Sequence, residues 1–62
     1  LQSLTGRERA IVELVAEGMD NREIAAALFL SEGTVRNHIS SILQKLNLKN
    51  RTQLVVAYYR RQ

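Results

Sequence analysis

The stretch "NREIAAALFLSEGTVRNHISSILQKL", residues Asn21–Leu46, decides the fold of this 62-residue chain. Apolar residues recur at helical spacing first over 24–28 and then over a longer run, 35–46. Ser31 lies between the two runs and is a typical helix N-cap. We therefore expect a short helix and a longer helix joined by about four residues, which is the layout of a helix-turn-helix.

The rest of the chain predicts two further helices. Thr5 and Glu8 fit a capping box at a helix start, and Gly18 is suited to the left-handed end of that helix. Asp20 or Asn21 caps the next helix. No segment alternates apolar and polar residues as a strand would. The prediction is an all-α domain of four helices, at about 6–17, 21–28, 32–46 and 51–60.

Length and composition restrict the class of protein further. A chain of 62 residues is one domain at most, and cysteine is absent, so neither disulfides nor a thiolate zinc site can support it. The longest apolar run, 24–30, is too short to span a bilayer, and we expect no signal peptide. We expect a soluble cytoplasmic domain over 1–62, cut from a longer chain because it begins at Leu1.

Charge is unevenly distributed along the chain. Residues 1–32 carry three bases and six acids, whereas residues 33–62 carry six bases and no acid. One interpretation is a solvated basic tail without a binding function, and charge alone does not exclude it. The other interpretation is that one end of the fold faces a polyanion.

The third helix carries polar residues on the side opposite its apolar stripe. These residues indicate that the polyanion is DNA. Arginine can form paired hydrogen bonds to guanine and asparagine to adenine, while small hydroxyls suit either base. Any surface helix shows polar residues outward, but here the helix-turn-helix spacing and the lack of acids favour DNA. We expect helix 32–46 to lie in the major groove of double-stranded DNA, and the side toward the bases carries Gly33, Arg36, Asn37, Ser40 and Gln44.

Contacts to the DNA backbone are expected around that helix. Free amides at helix N-termini bind phosphate oxygens, hydroxyls add hydrogen bonds, and basic side chains flank the groove. The expected backbone contacts are Asn21, Ser31, Thr34, Lys45, Lys49 and Arg51.

Enzymatic and metal-binding functions have little support in the sequence. His38 is the only histidine, and a packing or phosphate-edge role suits it better than a metal ligand. Glu13 and Glu17 are four residues apart, but no nucleophile or second base accompanies them. We therefore expect no enzyme, no cofactor and no metal.

The last helix carries two apolar stripes. Leu54 and Tyr58, with Val55 at the margin, should dock on the first helix. The second stripe, Val56 and Tyr59 with a threonine, needs another partner. A twofold dimer is the economical explanation; alternatively Tyr59 covers its neighbours, or the partner is another part of the chain.

The residues 4–46, "LTGRERAIVELVAEGMDNREIAAALFLSEGTVRNHISSILQKL", resemble the LuxR/FixJ-type helix-turn-helix at the C-terminus of bacterial response regulators and quorum-sensing activators. The landmarks are Leu4-Thr5, Arg7-Glu8, Gly18, Asn21, Glu23-Ile24-Ala25, Ser31, Thr34-Val35, His38, Ile42-Leu43, Lys45-Leu46 and Asn50-Arg51-Thr52. The "NRTQ" segment, 50–53, is more like the response-regulator branch, which implies an N-terminal receiver or sensor domain.

The resemblance implies a transcription regulator's DNA-binding domain. It assigns backbone contacts to Thr34 and Arg51, and it assigns base contacts to Gly33, Arg36, Asn37 and Ser40. It also assigns a dimer contact to the last helix, at Thr52, Val55, Val56 and Tyr59. RNA polymerase is a possible further partner.

Two departures from the family mean that the DNA target cannot be inferred from a relative. Gly33 and Ser40 stand where relatives often carry long basic side chains. Two other functions stay open at this point. One is the promoter-reading region of a sigma-like factor, and the other is a helical protein-interaction module.

Overall fold

The computed structural model describes residues 3–61, and these form four α-helices in chain order. The helices are α1 (Gly6–Ala16), α2 (Asn21–Leu28), α3 (Glu32–Lys45) and α4 (Arg51–Arg60). Residues 3–61 contain no strand. The predicted all-α class is confirmed, and the predicted ends of α1 and α3 are each one residue too long.

A side-chain cap begins each helix, which explains why the helices start where they do. The caps are Thr5, Asp20, Ser31 and Asn50. The α2 cap is the aspartate, so Asn21 is the first helical residue. The starts of α1 and α2 form complete capping boxes, because Glu8 and Glu23 each accept the backbone N–H of the capping residue at 2.9 Å. Such a cap stabilises a helix start by about 1 kcal/mol.

Between residues 3 and 61, three residues adopt the left-handed conformation, each just after a helix. Gly18 has φ 92° and Asn47 has φ 57°, and both residue types tolerate this region. Phe29 ends α2 with φ 58° and ψ 44°, and its side chain is 93% exposed. The sequence did not indicate that this phenylalanine would be left-handed and exposed to solvent.

One hydrophobic core lies between the helices. Its buried members are Leu4, Ile11, Val12, Val15, Ile24, Ala25, Val35, Ile39, Ile42 and Leu54. α1 packs on all three other helices and α3 does the same, whereas α2 and α4 do not pack on each other. The core therefore holds α2 against α3 from one side and α4 against α1 from the other.

None of the helices between residues 3 and 61 has the length and apolar character that crossing a membrane requires.

Candidate nucleic-acid interface

The outer side of α3 is polar and open to solvent. Arg36, Asn37, Ser40 and Gln44 are all exposed, whereas the buried residues of the helix lie on its other side. Within residues 3–61, the side chains of these four residues make no hydrogen bond. Their donors and acceptors are therefore directed to water or to a partner.

Gly33 lies in the first turn of α3, beside the Arg36 side chain. A Cβ atom at this position would lie 3.8 Å from Arg36 Nη1 and 3.9 Å from Ser31 Oγ, which are ordinary contact distances. Its φ is not in the left-handed region. The fold thus leaves room for a side chain at position 33 and gives no conformational reason for glycine.

Two predicted backbone contacts, Ser31 and Thr34, are joined to each other. The Ser31 hydroxyl accepts the Thr34 backbone N–H at 3.0 Å and donates its own proton to Thr34 Oγ1 at 2.9 Å. Because Thr34 Oγ1 accepts this proton, its own hydroxyl proton is available to an outside acceptor. A phosphate oxygen is such an acceptor.

A second pair of predicted backbone contacts is also joined. The Arg51 guanidinium donates to Asn21 Oδ1 through Nη1 and to the Met19 carbonyl through Nη2, both at 2.6 Å. Arg51 and Asn21 are each half-buried. The first residue of α4 is therefore tied to the first residue of α2 across a separation of 30 residues.

Lys45 also has a partner inside the protein. Its Nζ lies 2.8 Å from Glu8 Oε1, in an ion pair that joins the end of α3 to the start of α1. The hydrogen bond from Lys45, followed by that from the Thr5 backbone N–H, holds the pKa of Glu8 below its usual value, although burial opposes this. Glu8 is only 5% exposed. The lysine thus compensates a buried carboxylate, whether or not it also contacts DNA.

The two remaining polar residues that the sequence singles out are Lys49 and His38. Lys49 is exposed in the α3–α4 connection, and its backbone N–H donates to Gln53 Oε1 at 2.7 Å. His38 is half-buried on α3. Among residues 3–61, no group of histidine and carboxylate side chains is arranged to hold a metal ion.

The two faces of α4 that the sequence predicts are confirmed. Leu54 is fully buried, and Val55 and Tyr58 pack against the core. On the other side, Val56 and Tyr59 are large apolar residues left exposed. The Tyr59 hydroxyl donates to the carbonyl of Ala16 at 2.8 Å, so its ring is fixed beside the end of α1.

Three polar interactions of this region have no signal in the sequence. They are the Lys45–Glu8 pair and the two hydrogen bonds of Arg51. Each joins residues that are at least 30 positions apart, and no helical periodicity reports such a contact. The sequence identified Lys45 and Arg51 as DNA-backbone contacts by charge and resemblance alone, and that assignment stays a prediction.

The short α2, the turn and the longer α3 with its open polar side define a helix-turn-helix domain. The family model for bacterial regulatory proteins of the luxR family matches residues 2–58. The chain therefore belongs to the luxR family, and it is a LuxR-type DNA-binding domain of the kind found in transcription regulators.

Individual relatives agree with this assignment. The transcriptional regulatory protein DegU of Brevibacillus brevis is 52% identical over 56 residues, which cover 90% of this chain and 24% of DegU. The spore germination protein GerE of Bacillus subtilis is 53% identical over 57 residues, which cover 92% of this chain and 77% of GerE.

A solved structure shows the same fold. The response regulator ChrA of a heme-sensing two-component system superposes with a TM-score of 0.88 and 39% identity. The similarity covers 98% of this chain and 30% of ChrA. The chain thus spans about a quarter of DegU and under a third of ChrA.

Proposed function

We propose that this domain binds double-stranded DNA in a sequence-specific manner, with α3 in the major groove. The observation that carries the proposal is the outer side of α3. It presents Arg36, Asn37 and Ser40 to solvent without an internal hydrogen bond among the described residues. Arginine and asparagine are the residue types that read guanine and adenine edges. Gly33 adds a place where the DNA can approach the helix backbone closely.

Contacts to phosphates would hold α3 in register. The exposed Lys49, in the connection that follows α3, supplies positive charge, and the free hydroxyl proton of Thr34 suits a phosphate oxygen. Asn21 and Ser31 lie at the starts of α2 and α3, where the first-turn amides that the caps do not bind can donate to anions. These contacts position the protein and carry no sequence information of their own.

The outer face of α4 is proposed as the contact in a homodimer. Val56 and Tyr59 are exposed there together with Thr52, and Val55 lies at the margin of this face. An open depression of about 370 Å³, lined by Leu48, Gln53, Val56, Ala57 and Arg60, adjoins the same face. A twofold axis at this helix would pair two recognition helices on successive half-sites.

The regulator that contains this domain is proposed to work in the cytoplasm. A receiver or sensor domain is proposed to precede it, because DegU and ChrA are much longer than the region they share with this chain. RNA polymerase is a possible partner of such a regulator. The comparisons favour this function over the sigma-like alternative, and we propose no catalytic role.

A salt titration tests the proposal without knowledge of the target. Binding to a duplex of mixed sequence is followed by fluorescence anisotropy at several salt concentrations. Log K should fall steeply and linearly with log salt, and Lys49→Ala should reduce the slope by about 1. Arg9→Ala, which removes a positive charge from the surface of α1, should leave the slope nearly unchanged.

One outcome of this titration and one outcome of a sedimentation measurement separate the alternatives. Undetectable binding at low salt would contradict DNA recognition and favour the protein-interaction module. Sedimentation of the chain with and without duplex tests the dimer. A complex that contains one copy per duplex at saturating protein would contradict the dimer.

A further inference from the structure

We infer that Arg51 is a positioning residue for DNA binding, which acts by fixing the orientation of the Asn21 side-chain amide. This inference rests on the proposed function. It replaces the expected direct contact of Arg51 with phosphate by an indirect role.

The first argument is the direction of the hydrogen bonds. A guanidinium has five N–H donors and no acceptor, so an amide group that faces it must present its oxygen. Nη1 of Arg51 lies 2.6 Å from Asn21 Oδ1. The Asn21 amide is therefore held with its carbonyl oxygen toward Arg51 and its NH₂ group away from Arg51.

That orientation decides what Asn21 can bind. The NH₂ group is a pure donor, which is what a phosphate oxygen accepts. The opposite orientation would present a carbonyl oxygen, which a phosphate repels. Because the two orientations of an amide differ little in shape, packing alone does not select between them, and a charged partner does.

The second argument is that Arg51 is already engaged. Its Nη2 donates to the Met19 carbonyl at 2.6 Å, so both terminal nitrogens have acceptors on the α1–α2 connection and α2. The residue is half-buried. A phosphate contact that turned the guanidinium away from these acceptors would break two short charge-assisted hydrogen bonds, which are stronger than neutral ones.

The third argument is the packing of the helices. α2 and α4 do not pack on each other, and Arg51 joins their first residues. The Arg51 side chain is therefore a direct link between the start of α2 and α4, which are otherwise connected through α1 and α3. A change at Arg51 would act on Asn21 before it acted on any other proposed DNA contact.

The test is a double-mutant cycle in which the probe is a duplex of mixed sequence. Arg51→Gln and Asn21→Ala should each weaken binding about threefold to tenfold, the range expected for one lost hydrogen bond. The double variant should bind as weakly as Asn21→Ala alone, because Arg51 has no effect once the amide is gone. The salt slope of Arg51→Gln should change no more than that of the matched control Arg9→Gln.

Three results would contradict either the inference or the proposed function. Additive losses in the double variant would overturn the inference, as would a salt slope that falls by about 0.9 in Arg51→Gln, the value for one lost phosphate contact. A wild-type chain that binds no duplex would instead overturn the proposed function. All variants are compared at a temperature at which circular dichroism shows them folded. If Arg51→Gln is folded at no accessible temperature, Arg51→Lys goes through the same cycle and the coupling with Asn21→Ala alone decides, because lysine keeps the charge that the salt slope reports.

Discussion

The two sides of α3 use the same 14 residues of helix for opposite purposes. On the inner side, Val35 and Ile42 are 0% exposed and Ile39 is 7% exposed. On the outer side, Arg36 and Asn37 are exposed and have no internal hydrogen bond among the described residues. The inner side therefore contributes to folding, and the outer side is free for a partner.

The two sides of α3 differ in more than apolar or polar character, because polar residues also differ in whether they have a partner inside the protein. Lys45 and Arg51 are basic, as Arg36 is, yet both direct their charged groups to oxygen atoms of the protein. Basic character alone does not identify the DNA-reading side chains. What distinguishes the outer side of α3 is that nothing inside the described chain satisfies its polar groups.

The largest expected effect comes from the inner side. Ile42→Ala should lower the free energy of unfolding by about 2–5 kcal/mol, because it removes fully buried methyl groups and leaves a cavity. That is a large part of the stability of a domain this small. Denaturation in urea, followed by far-UV circular dichroism, measures the loss. Gln44→Ala, on the outer side of the same helix, should change stability by less than about 0.5 kcal/mol. Equal losses in the two variants would contradict the division of α3.

A smaller effect of opposite sign is expected in the turn before α3. Phe29 has a left-handed backbone and an exposed ring, so Phe29→Gly relieves steric strain and gives up little packing. We expect about 1 kcal/mol of added stability in the same urea assay. Phe29→Ala is the matched control, since it removes the ring but keeps the Cβ atom, and it should give no such gain. A gain of equal size in both would mean that the ring, and not the backbone, is responsible.

The smallest expected effect lies on the outer side and has two parts. Gly33→Ala should stabilise the domain by about 0.5–1 kcal/mol, because alanine favours the helix and its Cβ meets only ordinary contacts. The same substitution should weaken DNA binding if the backbone at Gly33 lies close to the DNA. Urea denaturation and anisotropy measure the two parts separately. Added stability with unchanged affinity would contradict the close approach.

The fold was largely predictable because its determinants are local. The apolar spacing of Val35, Ile39 and Ile42 and the cap at Ser31 each follow from a few neighbouring residues. The end of α2 was not predictable in this way. The chain adopts a left-handed residue there although Phe29 disfavours it, because the core requires both α2 and α3 to pack.

The candidate site was predictable only in part. The outer side of α3 follows from the periodicity of one helix, and the resemblance to the luxR family agrees with it. The partners of Lys45 and Arg51 follow from how α1, α2, α3 and α4 come together, so they depend on contacts between distant parts of the sequence. The choice between Asp20 and Asn21 as the α2 cap is local instead, because it depends on the extended backbone at Asp20, whose side chain accepts the N–H of Glu23.

The most direct test of the central claim is a selection from a pool of randomised duplexes, carried out with the wild-type chain and with Arg36→Ala. Arg9→Ala, which removes an exposed arginine of α1, serves as the control outside the proposed interface. The wild-type chain and the control should enrich one motif that includes a guanine, and Arg36→Ala, while remaining folded, should lose the preference at that guanine. If Arg36→Ala enriches the same motif as the wild-type chain, the outer side of α3 does not read DNA as proposed.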